Sequence, residues 1–177
     1  MLFRSGGSAT LPCTTKLLAQ ATNLQPDSIN VTVNPVPSIT VGTLTVGSGL
    51  QDNTSFTLGA PNHGNINVTV TSSNAALLVS PNATTAGTGQ ITIPVLDGVQ
   101  TVGFYLQGLE GQTGSLSATV TVSAPGFTNG TSTITVVQAA LDLQGLPTST
   151  TPLSPSNFVY ARVGTAAAGQ RDRKSVV

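Results

Sequence analysis

The residue types that perform most enzyme chemistry are scarce in this chain of 177 residues, which contains one histidine, one cysteine and no tryptophan. His63 could serve as a general base or a metal ligand, but no second histidine exists to share a metal with it. Because it lies between Pro61 and Gly64, we interpret it as a solvated turn residue. Cys13 has no partner for a disulfide within the chain, and its place in a strand pattern predicts a buried, unreactive thiol.

Acidic residues are the other candidates, and residues 36–138 include three of them, Asp52, Asp97 and Glu110, with no lysine or arginine. A calcium site needs several converging oxygen ligands, whereas these three are spread over about sixty residues. Asp97 and Glu110 each precede a glycine, which is typical of a hairpin turn. The lack of tryptophan disfavours a glycosidase site, and no serine lies in a nucleophile-elbow pattern. We therefore predict no catalytic, metal or cofactor-binding residue and no enzymatic activity.

Five asparagines stand in the Asn-x-Ser/Thr pattern of N-glycosylation acceptors: Asn30, Asn53, Asn67, Asn82 and Asn129. Serine and threonine make up about a quarter of the chain, so several such matches arise by chance. We interpret these asparagines as residues of strand faces and turns.

Charge and hydropathy exclude two classes of partner. The chain has six basic and six acidic residues, and only 7% of its residues are charged, so it offers no basic surface for nucleic acid. No apolar run approaches the roughly 20 residues of a membrane-spanning helix. We expect neither nucleic-acid binding nor membrane insertion.

Both ends of the chain resemble translated sequencing adapters. Residues 1–5 resemble one common short-read adapter, and residues 172–177 resemble the opposite adapter followed by its stop. We exclude both segments from the fold analysis, and we expect the remainder to be an internal piece of a longer protein.

Alternation of apolar and polar residues predicts short β-strands throughout. Ile66, Val68 and Val70 alternate with polar residues, which places the aliphatic side chains on one face. The same pattern recurs at 91–95, 102–106, 116–122 and 134–136, with shorter strands at 39–41, 44–46, 56–58 and 77–79. No stretch favours a helix. Many short strands with turns every eight to twelve residues predict an all-β, two-sheet sandwich.

One strand also predicts a core residue. Phe104 should be the largest buried side chain of the central strands, with Val102 and Leu106 on the same face and Tyr105 on the other.

An internal repeat divides the chain. Residues 21–33 align with residues 124–136 at an offset of 103, and residues 39–56 align with residues 141–158 at an offset of 102. This period has the size of one β-sandwich. It predicts the C-terminal strands of a preceding repeat at 6–35, a complete sandwich at 36–138, and the N-terminal strands of a following repeat at 139–171. The junctions at 34–37 and 137–141 lack the composition of a flexible tether.

Residues 66–74, 78–81, 104–109 and 120–127 resemble the bacterial immunoglobulin-like domains that occur in tandem in large exported surface proteins. The resemblance implies an immunoglobulin-like β-sandwich without a disulfide, at an extracellular or cell-surface location. It implies a stalk, spacer or adhesion role, with neighbouring copies, a surface protein or a glycan as partners. The alternative is a carbohydrate- or protein-binding accessory module of a secreted enzyme.

Overall fold

A computed structural model describes residues 12–20, 22–145, 147, 149, 151–156, 158–167 and 170–171. The chain divides into two compact units, Met1–Val36 and Pro37–Val177. The adapter-like segments, 1–5 and 172–177, lie outside the described residues. Residues 139–167 belong to the second unit, and the predicted domain boundary at residue 138 stays a prediction.

Every element in the described part of the chain is a β-strand. The strands are β1 (Cys13–Ala19), β2 (Asp27–Val33), β3 (Ile39–Val41), β4 (Thr45–Gly47), β5 (Gln51–Leu58), β6 (Ile66–Ser72), β7 (Leu77–Ser80), β8 (Gln90–Val95), β9 (Thr101–Gly108), β10 (Ser115–Ser123), β11 (Gly130–Val137), β12 (Ala139–Gln144), β13 (Tyr160–Ala167) and β14 (Gln170–Arg171).

Strands β3 to β11 form an immunoglobulin-like β-sandwich, as the sequence predicts. One sheet has the order β4-β11-β10-β6-β8 and the other has the order β3-β5-β9-β7. All neighbours are antiparallel except β4 and β11, which are parallel. Pro94 lies in β8, which pairs only with β6, so its missing N–H is tolerated at the sheet edge.

The core lies between these two sheets and consists of alternate aliphatic residues with two phenylalanines. The rings of Phe56 and Phe104 are both fully buried, with centroids 6.2 Å apart and planes tilted by 38°. Leu106 is fully buried and Val102 is half-buried on the face of Phe104, whereas Tyr105 lies on the other face and is half-buried. The predicted orientation of this strand is therefore confirmed.

Two further hairpins lie outside the sandwich strands. The N-terminal hairpin pairs β1 with β2, and the C-terminal hairpin pairs β12 with β13. Thr165 of β13 is buried, and its Cγ2 lies beside Gly47 of β4. The C-terminal hairpin thus contacts the sandwich near the point where the chain leaves β11.

Candidate functional site

Asp97 joins two loops at one end of the sandwich. Its Oδ1 accepts hydrogen bonds from the backbone N–H groups of His63 (3.0 Å) and Gly64 (2.8 Å). The N–H of Asp97 itself donates to Asn65 Oδ1 at 3.1 Å. Gly98 follows with a φ of +85°, so a turn is present at Asp97-Gly98, but the predicted hairpin is wrong, because the turn connects β8 to β9 of the other sheet. The carboxylate of Asp97 therefore holds the backbone of the loop between β5 and β6.

The imidazole of His63 is also held in place. Its Nε2 lies 2.9 Å from the carbonyl oxygen of Val99, and its Nδ1 lies within hydrogen-bond distance of the carbonyl oxygen of Gly64. The ring meets Phe127 edge-on, with centroids 6.1 Å apart. Although His63 lies in a loop as predicted, its side chain is half-buried and in contact with two other loops. The contact between Nε2 and Val99 joins the His63 loop to the loop between β8 and β9.

The other acidic residues lie apart from this cluster. Asp52 is half-buried in β5, where its Oδ1 accepts the N–H of Asn53 at 2.9 Å. Glu110 is exposed beyond β9, and Gly111 follows it with a φ of +87°, as expected for a turn. The predicted hairpin is wrong here too, because this turn leads from β9 to β10 of the other sheet. Within the described ranges, no three His, Cys, Asp or Glu side chains lie close enough together to hold a metal ion.

Cys13 is half-buried, and the prediction of a buried thiol is met only in part. It pairs with Val33 at the end of the N-terminal hairpin, on a face of the hairpin that is largely exposed. Its counterpart at the repeat offset, Leu116, is likewise half-buried.

A cavity of about 240 Å³ opens at the other end of the sandwich, near β9. It is lined by Gly49, Leu50, Leu78, Gln107, Gly108, Leu109 and Glu110. The Gln107 amide already bonds to protein: its Nε2 donates to Thr85 O and Gln51 Oε1, and its Oε1 accepts the N–H of Gly87. The cavity brings together no acid–base pair.

Sequence reasoning missed this amide network. Gln51 and Gln107 are directly opposite in the β5–β9 register, although 56 residues separate them in the chain. Gln51 also donates to the carbonyl oxygen of Ala83 at 3.0 Å. Gln51 and Gln107 thus hold the loop after β7 in place. No local sequence motif indicates this role.

The five asparagines of the Asn-x-Ser/Thr pattern are all exposed. Asn30, Asn53 and Asn67 lie in strands, and Asn82 and Asn129 lie in loops. Asn82 Oδ1 accepts from the backbone N–H groups of Thr84 and Thr85, so this side chain shapes its own turn.

The most distinctive surfaces are the apolar faces of the two hairpins. In the N-terminal hairpin, Cys13 pairs with Val33 and Leu17 pairs with Ile29. In the C-terminal hairpin, Leu141 and Leu143 are 69% and 56% exposed. Both hairpins expose aliphatic residues of the kind that the sandwich buries in its core.

The chain crosses the sandwich from one end to the other. Ser38 bridges to Thr128, just before β11 begins, and Thr128 N–H donates to the carbonyl oxygen of Pro37 at 2.9 Å. The chain leaves β11 at Val137. The eight residues of β11 separate these two points by about 26 Å, since a strand rises about 3.3 Å per residue.

In the part of the chain that the structure describes, no helix could cross a membrane. Comparison with known proteins adds no relative: neither a family model nor a curated protein matches this chain.

Proposed function

We propose that this chain is a non-catalytic module from a tandem array of immunoglobulin-like sandwiches, which acts as a spacer or adhesion repeat in an exported surface protein. The observation that carries the proposal is the path of the chain, which begins the sandwich at one end and leaves it at the other. Domains connected in this way extend an array in one direction.

The junction after the sandwich supports a stiff connection. Only Gln138 separates β11 from β12, and its N–H donates to the carbonyl oxygen of Gly114 at 2.9 Å. A single hydrogen-bonded residue between two strands leaves little room for bending.

The strand registers support the repeat. The N-terminal hairpin pairs Cys13 with Val33, and β10 pairs Leu116 with Val136 of β11. Adding 103 to the residue numbers of the first pair gives the numbers of the second pair. The same shift relates every pair of β1 and β2 to a pair of β10 and β11. The N-terminal hairpin and the β10–β11 pair therefore share both their sequence pattern and their strand register.

The cluster around His63 and Asp97 is used in loop contacts, which favours a structural role over catalysis. The extracellular or cell-surface location, and a surface protein or glycan as partner, rest on the sequence resemblance.

Small-angle scattering tests the spacer role. A polypeptide carrying residues 37–138 twice in series should have a maximum dimension close to twice that of one sandwich. A matched variant with a Gly/Ser linker between the copies should show a broader distribution of inter-domain angles. If the direct fusion and the linker variant scatter alike, the stiff spacer is wrong and a binding module on a flexible string is favoured.

A further inference from the structure

We propose that consecutive sandwiches of the array dock end to end, with the loop between β8 and β9 of one sandwich packed against Leu109 of the sandwich before it. The partner of Leu109 is thus the following repeat of the same chain. This inference rests on the proposed spacer function and deepens it, because it names the two surfaces that meet at each junction.

The two ends of the sandwich contain different segments of the chain. We name the end where β3 begins the entry end, and the end where β11 finishes at Val137 the exit end. The His63 ring contacts Phe127, in the loop that also bonds the start of β3. Because Nε2 of His63 lies 2.9 Å from the carbonyl oxygen of Val99, the loop between β8 and β9 also lies at the entry end.

Exposed large apolar side chains of the sandwich lie at these two ends. Between residues 37 and 138, all of which the structure describes, they are Leu96 (65%) and Val99 (41%) in the β8–β9 loop and Leu109 (50%) after β9. The outer face of the five-stranded sheet instead exposes threonines such as Thr119 and Thr133. Single exposed leucines are common on protein surfaces, but their restriction to the ends where neighbouring repeats attach indicates contact between repeats.

The loop at the entry end is held in a fixed shape. Asp97 Oδ1 accepts the backbone N–H groups of His63 and Gly64, and the N–H of Val99 donates to the carbonyl oxygen of Leu96 at 3.1 Å. These bonds fix the backbone while the side chains of Leu96 and Val99 stay exposed. Little conformational entropy is therefore lost when this loop docks.

The surface at the exit end is tied to the point where the chain leaves the sandwich. The N–H of Ser48 donates to the carbonyl oxygen of Val137 at 2.8 Å, and its Oγ donates to that of Leu109 at 3.0 Å. The N–H of Gln112 donates to the same Oγ at 3.1 Å. Leu109 therefore has a fixed position relative to the junction with the following repeat.

The structure contains the beginning of the proposed contact. Thr165, in the hairpin that we assign to the following repeat, is buried, and its Cγ2 lies beside Gly47. Leu50 lies next to the same glycine and lines the cavity of about 240 Å³ that adjoins Leu109. The β8–β9 loop of the following repeat comes after the strands at 139–171, and we assign it to this cavity and to Leu109. The proposed surface thus continues the contact that Thr165 begins.

Docking would add a second constraint to each junction. The one linking residue, Gln138, limits the distance between two sandwiches, but its backbone dihedrals still permit rotation. Rotation away from the docked arrangement would return Leu96, Val99 and Leu109 to water, which is unfavourable. The apolar contact would therefore fix the angle between sandwiches.

Thiol reactivity tests the docking in the full chain with residues 37–138 repeated once in series. In this duplicated chain, the exit end of the first copy meets the entry end of the second copy. Cys13→Ser removes the native thiol, and each variant then carries one new thiol. Leu109→Cys in the first copy should react several-fold more slowly with a disulfide reagent than Leu109→Cys in the second copy. Leu96→Cys should show the opposite order, with slow reaction in the second copy.

A charge on the other side of the junction provides the matched control. Leu96→Asp in the second copy should restore fast reaction of the first-copy thiol at position 109. The same substitution in the first copy, away from the junction, should leave that thiol slow. Val99→Asp in the second copy replaces Leu96→Asp if that variant fails to fold, which circular dichroism would reveal.

Three outcomes would overturn the proposal. The first is equal reaction of the thiol at position 109 in the two copies. The second is slow reaction that persists when Leu96 and Val99 of the second copy are both replaced by aspartate, since another segment would then cover Leu109. The third is protection that disappears on dilution, which would assign the cover to a separate molecule.

Scattering of the same duplicated chain separates this proposal from the spacer role. An extended particle with a narrow distribution of inter-domain angles but equal thiol rates would reject the docking and leave the stiff spacer intact. A broad distribution of angles with equal thiol rates would reject both.

Discussion

Phe104 and Tyr105 are neighbours in β9 whose side chains lie on opposite faces of the sheet. Phe104→Ala should lower the free energy of unfolding by roughly 3–5 kcal/mol, because it leaves a cavity against Phe56. Tyr105→Ala should cost much less, because that ring is half-buried on the outer face. Urea unfolding of both variants measures the difference. A larger loss at Tyr105 would mean that the register of β9 is wrong by one residue.

His63 and Asp97 show at the same scale how residues suited to chemistry are used in the fold. The two are 34 residues apart, yet the backbone N–H of His63 and the carboxylate of Asp97 meet. The Asp97-Gly98 turn could be predicted from the dipeptide, but the contact with His63 could not, because it depends on how β5, β6, β8 and β9 are arranged.

At the scale of elements, close contacts between strands leave no room for a larger side chain at certain glycines. Gly108, at the end of β9, has no room for a Cβ, because an added Cβ would clash with the carbonyl oxygen of Gly47. Gly108→Ala should therefore destabilise the sandwich by about 1–3 kcal/mol, the usual cost of overpacking.

Gly103 is the matched control in the same strand. An added Cβ there meets only the carbonyl oxygen of Thr54 at 3.7 Å, an ordinary contact. Gly103→Ala should be neutral or stabilise slightly, since alanine restricts the unfolded chain. Thermal melts of the two variants make the comparison, and equal losses would contradict the close contact between Gly108 and Gly47.

The sandwich should be an independent folding unit at the scale of the whole molecule. A fragment of residues 36–138 contains every strand of both sheets, and a domain of about 100 residues buries enough surface to fold alone. It should unfold in one cooperative transition, whereas fragments 6–35 and 139–170 should not fold. A broad, non-cooperative melt of the central fragment would reject this domain assignment.

Several features of the fold could be read from local pattern. Alternation at Val102, Phe104 and Leu106 assigns these residues to the inner face of a strand, and the same reasoning applies to Val68 and Val70. Alternation did not identify strand residues where polar side chains dominate. Strand β5 begins at Gln51, although only residues 56–58 were predicted. Its early residues are held by pairing with β9, which no local pattern records.

The sequence by itself determined that this protein is all-β, that Val68, Val70 and Phe104 belong to its core, and that few of its residues are suited to chemistry. These properties follow from composition and from the two-residue period of a strand, both of which are local. The tertiary structure alone decided that β4 joins β11 in parallel, that β7 and β8 belong to different sheets, and that Gln51 meets Gln107. Backbone hydrogen bonds are alike for every strand, so the choice of partner is made by the packing of the whole sandwich.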